Sequence, residues 1–390
     1  MNKKIAFYYH IPIWKNNGHL YLPSLLGVFI DELASNLDQL ILIMHEDKEQ
    51  GQADYLIKSA NLQFISLGIK TPAWHRMIFF RSILKEKLNE IKFVDFLIVR
   101  SPSPLSPFFG KYFPVTKLIF MVVGDYLDGK NHMSIYNLRT FAISILLVIN
   151  NYLFTKQLKH SFVLVNSNEL FEKYKSISKG IQIIRTTTVS SSDFYSRITT
   201  CDNNKINLLY TGRLDPAKGL FELVNSVGIL NSKFQFNFHL DIVGWEEEKN
   251  EPIKKRLIIA AQRINQLNNI TFHKKKSIGV ELNSMYRNAD IFVLPSYHEG
   301  FPRTIWEALA NSCPVVVSSV GSIPYVLENG INALLIKPKS ELEIVNAVME
   351  LINNQNLRMK VIKNGYELSK SNKLEITTKL LIDKIYNSRL

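Results

Sequence analysis

The amino-acid sequence predicts two Rossmann-like, doubly wound α/β domains joined by a polar linker. Three observations carry that prediction. The chain has 390 residues, more than one hydrophobic core usually serves. Short apolar runs rich in Ile, Leu, Val and Phe alternate with helical patterns from end to end, as parallel strands buried on both faces and joined by helices require. Near the middle, Ser190–Asn204 (SSSDFYSRITTCDNN) breaks the alternation with a polar run that has no period.

In the first half the strand candidates are Ile5–Tyr9, Leu40–Met44, Leu62–Leu67, Phe96–Arg100, Leu118–Val123, Phe162–Val165 and Gln182–Ile184. In the second they are Ile206–Tyr210, Phe236–Val243, Ile270–His273, Ile291–Leu294, Val315–Val317 and Ala333–Ile336. The predicted domains are residues 1–195 and 196–372. A closing helix over 373–390 has apolar spacing at Leu374, Leu381 and Ile385. Doubly wound sheets bind ligands at the carboxyl ends of their strands, which places function in a cleft between the two domains.

Apolar content of 46% leaves material for two cores. Cys201 and Cys313 are the only cysteines. Their separation gives no metal-ligand spacing and no disulfide framework, so a reducing, cytoplasmic setting and no metal are expected. Met1–Ala6 leads straight into a strand rather than a signal core. The net charge of +13 leans towards residues 1–200, where 23 Lys and Arg against 15 Asp and Glu give +8. An anionic membrane surface, nucleic acid or an anionic substrate would suit such an excess. No interleaved basic–aromatic motif points to nucleic acid. The longest apolar run, Phe141–Phe154 (FAISILLVINNYLF), is fourteen residues, too short to span about 30 Å of hydrocarbon. It reads as a core helix, or as a helix lying in the membrane interface with Lys156, Lys159 and His160 beyond it.

Ala289–Val317 (ADIFVLPSYHEGFPRTIWEALANSCPVVV) is the most informative stretch. It reads as a buried strand, a short polar loop, and a helix opened by Pro302. Such a helix offers unpaired N–H groups and a positive dipole end to an anion. Glu299 lies before the helix and Glu307 in its second turn. A carboxylate is an acceptor suited to a vicinal diol. Arg213 and Lys218, in Tyr210–Leu220 (YTGRLDPAKGL), follow another strand. A guanidinium and an ammonium together suit a diphosphate.

These segments, with Val320–Ile336 (VGSIPYVLENGINALLI), resemble family 4 of the retaining GT-B glycosyltransferases, the glycosyl transferases group 1. The resemblance covers most of the C-terminal half; the N-terminal half matches in layout. It implies a C-terminal domain that binds a nucleotide-diphosphate sugar of UDP or GDP type, without a metal, and a final helix that crosses back to the N-terminal domain. Arg213 and Lys218 would stabilise the leaving diphosphate, Glu299 would meet the donor sugar, and Glu307 the ribose hydroxyls. Backbone groups around Gly300, Phe301, Thr304 and Ile305 would meet sugar and phosphate, and Gly18, in Trp14–Leu20 (WKNNGHL), would approach the phosphate.

The family often has a His at the end of a central N-domain strand. Aligning on Leu118–Val123 puts Gly124 there, with Asp125 next, so Asp125 is the candidate for polarising the acceptor hydroxyl. His10, His19 and His132 are weaker candidates. Asp215 and Lys274–Lys276 read as surface charge. Ser312, Ser322 and Tyr325 depart from the family pattern at positions that bear on sugar selectivity. The expected activity is retaining hexosyl transfer to a saccharide or lipid-linked saccharide of a cell-surface polymer, by a monomer in the cytoplasm or at the inner face of the cytoplasmic membrane. A non-catalytic sugar-nucleotide-binding subunit and a phosphorylase are the alternatives.

Overall fold

A computed structural model describes residues 3–125, 127, 138–246 and 250–387. It divides into two compact units, Met1–Thr186 with Glu375–Leu390, and Thr187–Leu374. Each is an α/β body with its own apolar core.

In the N-terminal unit the strands are β1 (Lys4–Tyr8), β2 (Ile13–Asn16), β3 (His19–Leu22), β4 (Gln39–Asp47), β5 (Tyr55–Leu56), β6 (Leu62–Ile69), β7 (Phe96–Ser101), β8 (Leu118–Val122), β9 (Phe162–Val165) and β10 (Gly180–Ile183). The helices are α1 (Ser24–Ser35), α2 (Ala73–Phe79), α3 (Arg81–Glu90), α4 (Phe109–Tyr112), α5 (Leu138–Leu158) and α6 (Asn168–Tyr174). The sheet order is β10-β9-β8-β7-β1-β4-β2-β3-β5, with β6 also on β4. Tyr8 of β1 sits opposite Ile43 of β4 and Val99 of β7, all parallel. The chain winds outward through β4 and β6, then returns to the other side of β1 at β7. The topological switch point therefore lies between β1 and β7, where a doubly wound sheet opens its ligand crevice.

The C-terminal unit holds β11 (Lys205–Arg213), β12 (Asn237–Trp245), β13 (Ile270–His273), β14 (Ile291–Leu294), β15 (Val315–Ser318) and β16 (Leu334–Ile336). Its helices are α7 (Leu220–Lys233), α8 (Pro252–Arg263), α9 (Val280–Asn288), α10 (Arg303–Ala310), α11 (Glu341–Asn353) and α12 (Gln355–Lys370). The order β13-β12-β11-β14-β15-β16 is parallel throughout and puts the switch point between β11 and β14. The last helix, α13 (Leu374–Asn387), groups with the N-terminal unit from Glu375 on. There Tyr386 donates to Asp95 at 2.8 Å, and its ring meets Phe96 edge-on at 5.1 Å.

Three features differ from expectation. The division between units falls before Thr187, earlier than residue 195, because the polar run is folded onto the C-terminal unit. Val189 and Phe194 enter that core, and the Arg197 guanidinium donates to the carbonyls of Tyr286, Arg287, Ala289 and Ser312. Gly18 closes the β2–β3 hairpin with Asn17, at φ 80° and 48°. Both left-handed residues are what a two-residue type I′ turn needs. A Cβ at Gly18 would meet no atom within 4 Å, so the turn, not a close approach within the chain, accounts for this glycine.

The third difference concerns the apolar run. It belongs to α5, a 21-residue helix, so its length alone does not keep it from spanning a membrane. Its C-terminal half ties it to the soluble body: Phe154 and Leu158 enter the N-terminal core, and Gln157 accepts from the Gly110 N–H at 2.9 Å. Its burial is inverted further along. Ser144 and Asn150 are buried, while Phe141, Ile145, Val148, Ile149 and Tyr152 are exposed. Those five recur at helical spacing and form one outward apolar stripe.

Candidate functional site

At the C-terminal unit's switch point three loops meet, and glycine is what lets them touch. Gly219, at φ 66°, follows the turn Pro216–Lys218 and would drive a Cβ to 2.1 Å from the Pro295 carbonyl oxygen. Tyr297 donates its N–H to Ala217 at 2.8 Å across the same contact. Gly321, at φ 57°, lies against the Glu299 carbonyl, and Ser322 donates to Gly300 at 2.9 Å. The segments singled out in the sequence are therefore one surface.

On that surface Lys218 and Glu299 form an ion pair at 2.5 Å, and the Ser296 hydroxyl donates to the same carboxylate oxygen at 2.8 Å. Arg213 stands at the end of β11 and pairs with Asp215 at 2.9 Å. Asp215 is thus a partner of Arg213 rather than idle surface charge, and it also caps the following turn through the Ala217 N–H. Helix α10 begins at Arg303, with Pro302 as its cap residue, one position later than expected. Gly300, Phe301 and Thr304 line its approach, half-buried. Ile305 serves the core instead: its side chain is fully buried and its N–H reaches the Pro302 carbonyl at 3.3 Å.

Glu307 is only 5% exposed. It accepts from the Tyr286 hydroxyl at 2.9 Å and the Thr188 hydroxyl at 3.1 Å, and Tyr286 is bonded in turn to Thr211 at 2.5 Å. Burial pushes its carboxyl up, against these hydrogen bonds and the nearby Arg303. A carboxylate has lone pairs beyond the two in use. Sequence reading missed this Thr211–Tyr286–Glu307–Thr188 network, because it joins residues far apart in the chain.

In the N-terminal unit Asp125 follows β8 and is ion-paired with Lys173 of α6, while it accepts from the Leu127 N–H at 2.9 Å. His19 is exposed on the β2–β3 hairpin. His132 lies outside the described residues. His10 is placed differently: it follows β1 at the sheet's switch point, beside a group of basic residues. Burial pushes its imidazole down to about 3, helped by Arg76, Lys70, Arg100 and His45. His45 on β4 is pushed down to about 4, again chiefly by burial, with Arg76 and Lys70 adding to it.

A pH dependence follows from these two histidines. Both folded values lie below the unfolded 6.5. The neutral forms are therefore favoured in the fold. Their contribution is complete above pH 6.5 and is lost as pH falls towards 4, at up to about 1.4 kcal/mol per pH unit for each. The wild-type Tm is expected to fall more steeply from pH 6.5 to 4.5 than that of a His10→Asn/His45→Asn variant. Parallel Tm–pH curves would remove these imidazoles as the cause.

Residues 191–368 match the family described as Glycosyl transferases group 1. An uncharacterized glycosyltransferase of Methanocaldococcus jannaschii is 31% identical over 162 residues, 42% of this chain and 42% of that protein. The capsular polysaccharide biosynthesis glycosyltransferase CapM of Staphylococcus aureus is 28% identical over 163 residues, 42% of this chain and 41% of that one. The matches thus span about two fifths of these relatives' length. Among solved structures, Anabaena HepE in complex with UDP has the same fold, with a TM-score of 0.73 at 14% identity, covering 99% of this chain and 100% of that chain.

Proposed function

We propose that this chain, which carries a glycosyl transferases group 1 domain in its C-terminal unit, is a retaining, metal-independent glycosyltransferase. It moves a hexose from a nucleotide-diphosphate sugar of UDP or GDP type to a saccharide or lipid-linked saccharide during cell-surface polysaccharide synthesis. The observation that carries the reading is the meeting of Lys218, Glu299 and Ser296 beside Arg213 at the switch point of a parallel sheet. In the reaction the bond between the anomeric carbon and the diphosphate oxygen breaks, and the acceptor oxygen forms the new bond on the same face. The acceptor proton passes to the departing diphosphate. Lys218 and Arg213 stabilise the charge that grows on that group, Glu299 orients sugar hydroxyls, and Glu307 takes the ribose. Asp125 polarises the acceptor hydroxyl.

The test is a thermal-shift panel of UDP, GDP, ADP and their common sugar conjugates on wild type and Arg213→Ala. A ligand that binds only the folded state raises the Tm by mass action. One nucleoside diphosphate is expected to stabilise the wild type selectively, with or without chelator, and to lose its effect in the variant. No response to any of them would sink the reading.

The outward stripe of α5, followed by Lys156 and Lys159, supports work at an anionic membrane surface. Anionic vesicles are expected to pellet the protein where neutral ones do not. The Ile149→Ser/Tyr152→Ser variant should partition about tenfold less or weaker still, since each exposed side chain contributes on the order of 1 kcal/mol. Sedimentation indifferent to lipid charge would overturn the membrane role.

A further inference from the structure

Helix α2 carries one arginine, beside His75 in an otherwise apolar helix, and that arginine points inward. Arg76 is 5% exposed, and its Nε and Nη1 are buried without a hydrogen-bond partner among the described residues. A buried guanidinium is normally matched by a carboxylate or by several carbonyls. Here its electrostatic neighbours are Tyr8, His10, His45 and Lys70. Arg100 on β7 completes the group, its guanidinium 4.6 Å from the Tyr9 ring centroid and its Nε also unpartnered. The carboxylate that acts on this group is Asp47, through Lys70. Both histidine rings contribute a further unpartnered nitrogen, Nδ1 of His10 and Nε2 of His45.

The placement is as informative as the charge. His10 lies two residues beyond β1, His45 sits near the end of β4, and Arg100 near the end of β7. All three mark the carboxyl ends of adjacent parallel strands at the N-terminal unit's switch point. Among the described residues, three permanent cations with one carboxylate acting on them call for an anion of more than one charge, which a phosphoryl group supplies and a sugar carboxylate does not.

We propose that Arg76, Lys70, Arg100 and His10 form a binding site for a phosphoryl group, monoester or diphosphate, carried by the acceptor. Assigning the phosphoryl group to the acceptor rests on the glycosyl-transfer reading; the anion site itself does not. Helix α2 also exposes Trp74, Ile78 and Phe79, an apolar surface on the same helix as Arg76 for a chain attached to that phosphoryl group. A diphosphate-linked lipid saccharide combines both features.

The experiment is thermal shift with inorganic pyrophosphate on the full chain, in an Arg213→Ala/Lys218→Met background that removes both of the donor site's phosphate contacts. Pyrophosphate is expected to raise the Tm in a concentration-dependent way, and Arg76→Met to abolish that rise. Arg76→Lys should keep part of it. Without ligand, Arg76→Met should melt about 3 °C higher, because it deletes a desolvated charge that no side chain matches. In spectra of the histidine rings, pyrophosphate should shift the His10 and His45 signals, which a merely structural arginine would not cause. Farnesyl diphosphate and a hexose phosphate, run in parallel, separate a lipid-linked source from a soluble one; a response to either supports the site. No pyrophosphate response, or one that survives in Arg76→Met, overturns it. Nucleoside diphosphate binding to Arg76→Met with Arg213 and Lys218 intact reads the donor site separately, so failure here leaves the donor assignment to its own test.

Discussion

Lys218→Met is expected to lower kcat for sugar transfer by about 10²–10³-fold, the usual effect of deleting one preorganised group that meets transition-state charge. In the proposed reaction the leaving diphosphate would gain charge as its bond to the sugar breaks. An ammonium already fixed beside it contributes most at that moment, because it need not reorganise. Lys218 is held by Glu299 at 2.5 Å, and Ser296 holds the same carboxylate. The donor would draw the ammonium towards phosphate and free the carboxylate for sugar hydroxyls. One ion pair thus prepares two contacts.

An ion pair can also be merely structural, and the two cases separate by a double substitution. Lys218→Met leaves Glu299, with its side chain 10% exposed, short of its ammonium. That should cost about 1–3 kcal/mol of stability. Lys218→Met/Glu299→Gln removes the orphaned charge, so unfolding measurements should show most of that stability restored. Activity should stay at the level of the single variant or below. Recovery of activity together with stability would mean that Lys218 acts only by holding the loop.

Much of this arrangement was legible in the sequence, for a definite reason. Strands buried on both faces read as unbroken apolar runs, and β14, β15 and β16 fall on such runs, while β11, β12 and β13 interleave polar residues with apolar ones. Arg213 could be placed after a strand because the apolar run Ile206–Tyr210 stops shortly before it. What could not be read depends on tertiary neighbours. One partner of Glu307 is Thr188, 119 residues away, and no local pattern announces it. Asn150 and Ser144 turn inward on α5 although the helix has enough apolar residues to cover its core face. The hairpin strands β2 and β3 are four residues each, too short for a period, although Asn17-Gly18 is a recognised turn signal. Arg76 did leave a trace. A single arginine in the mostly apolar stretch Trp74–Phe80, beside His75, must either break the helix's outer face or be buried, and burial of a charge is where function concentrates.

Gly321→Ala is expected to cost about 2–4 kcal/mol of stability and to lower sugar transfer further than that loss explains. Two effects add. The residue sits at φ 57°, which a side chain tolerates poorly. A Cβ there would also lie 1.6 Å from the Glu299 carbonyl oxygen, a backbone atom that cannot rotate away. Either Val320–Ser322 must retreat, breaking the Ser322–Gly300 hydrogen bond, or the Glu299 loop must move and carry its carboxylate away from Lys218 and Ser296. Gly330→Ala provides the comparison. Its φ is 69°, but its Cβ would meet only Leu357 Cδ1, at 3.9 Å. It should cost the left-handed penalty of about 1–2 kcal/mol and leave transfer intact. Urea unfolding of both variants, with kcat measured well below either Tm, separates conformation from close approach. Equal losses in the two would show that the contact between the Gly321 turn and the Glu299 loop relaxes freely, and that the carboxylate's position does not depend on it.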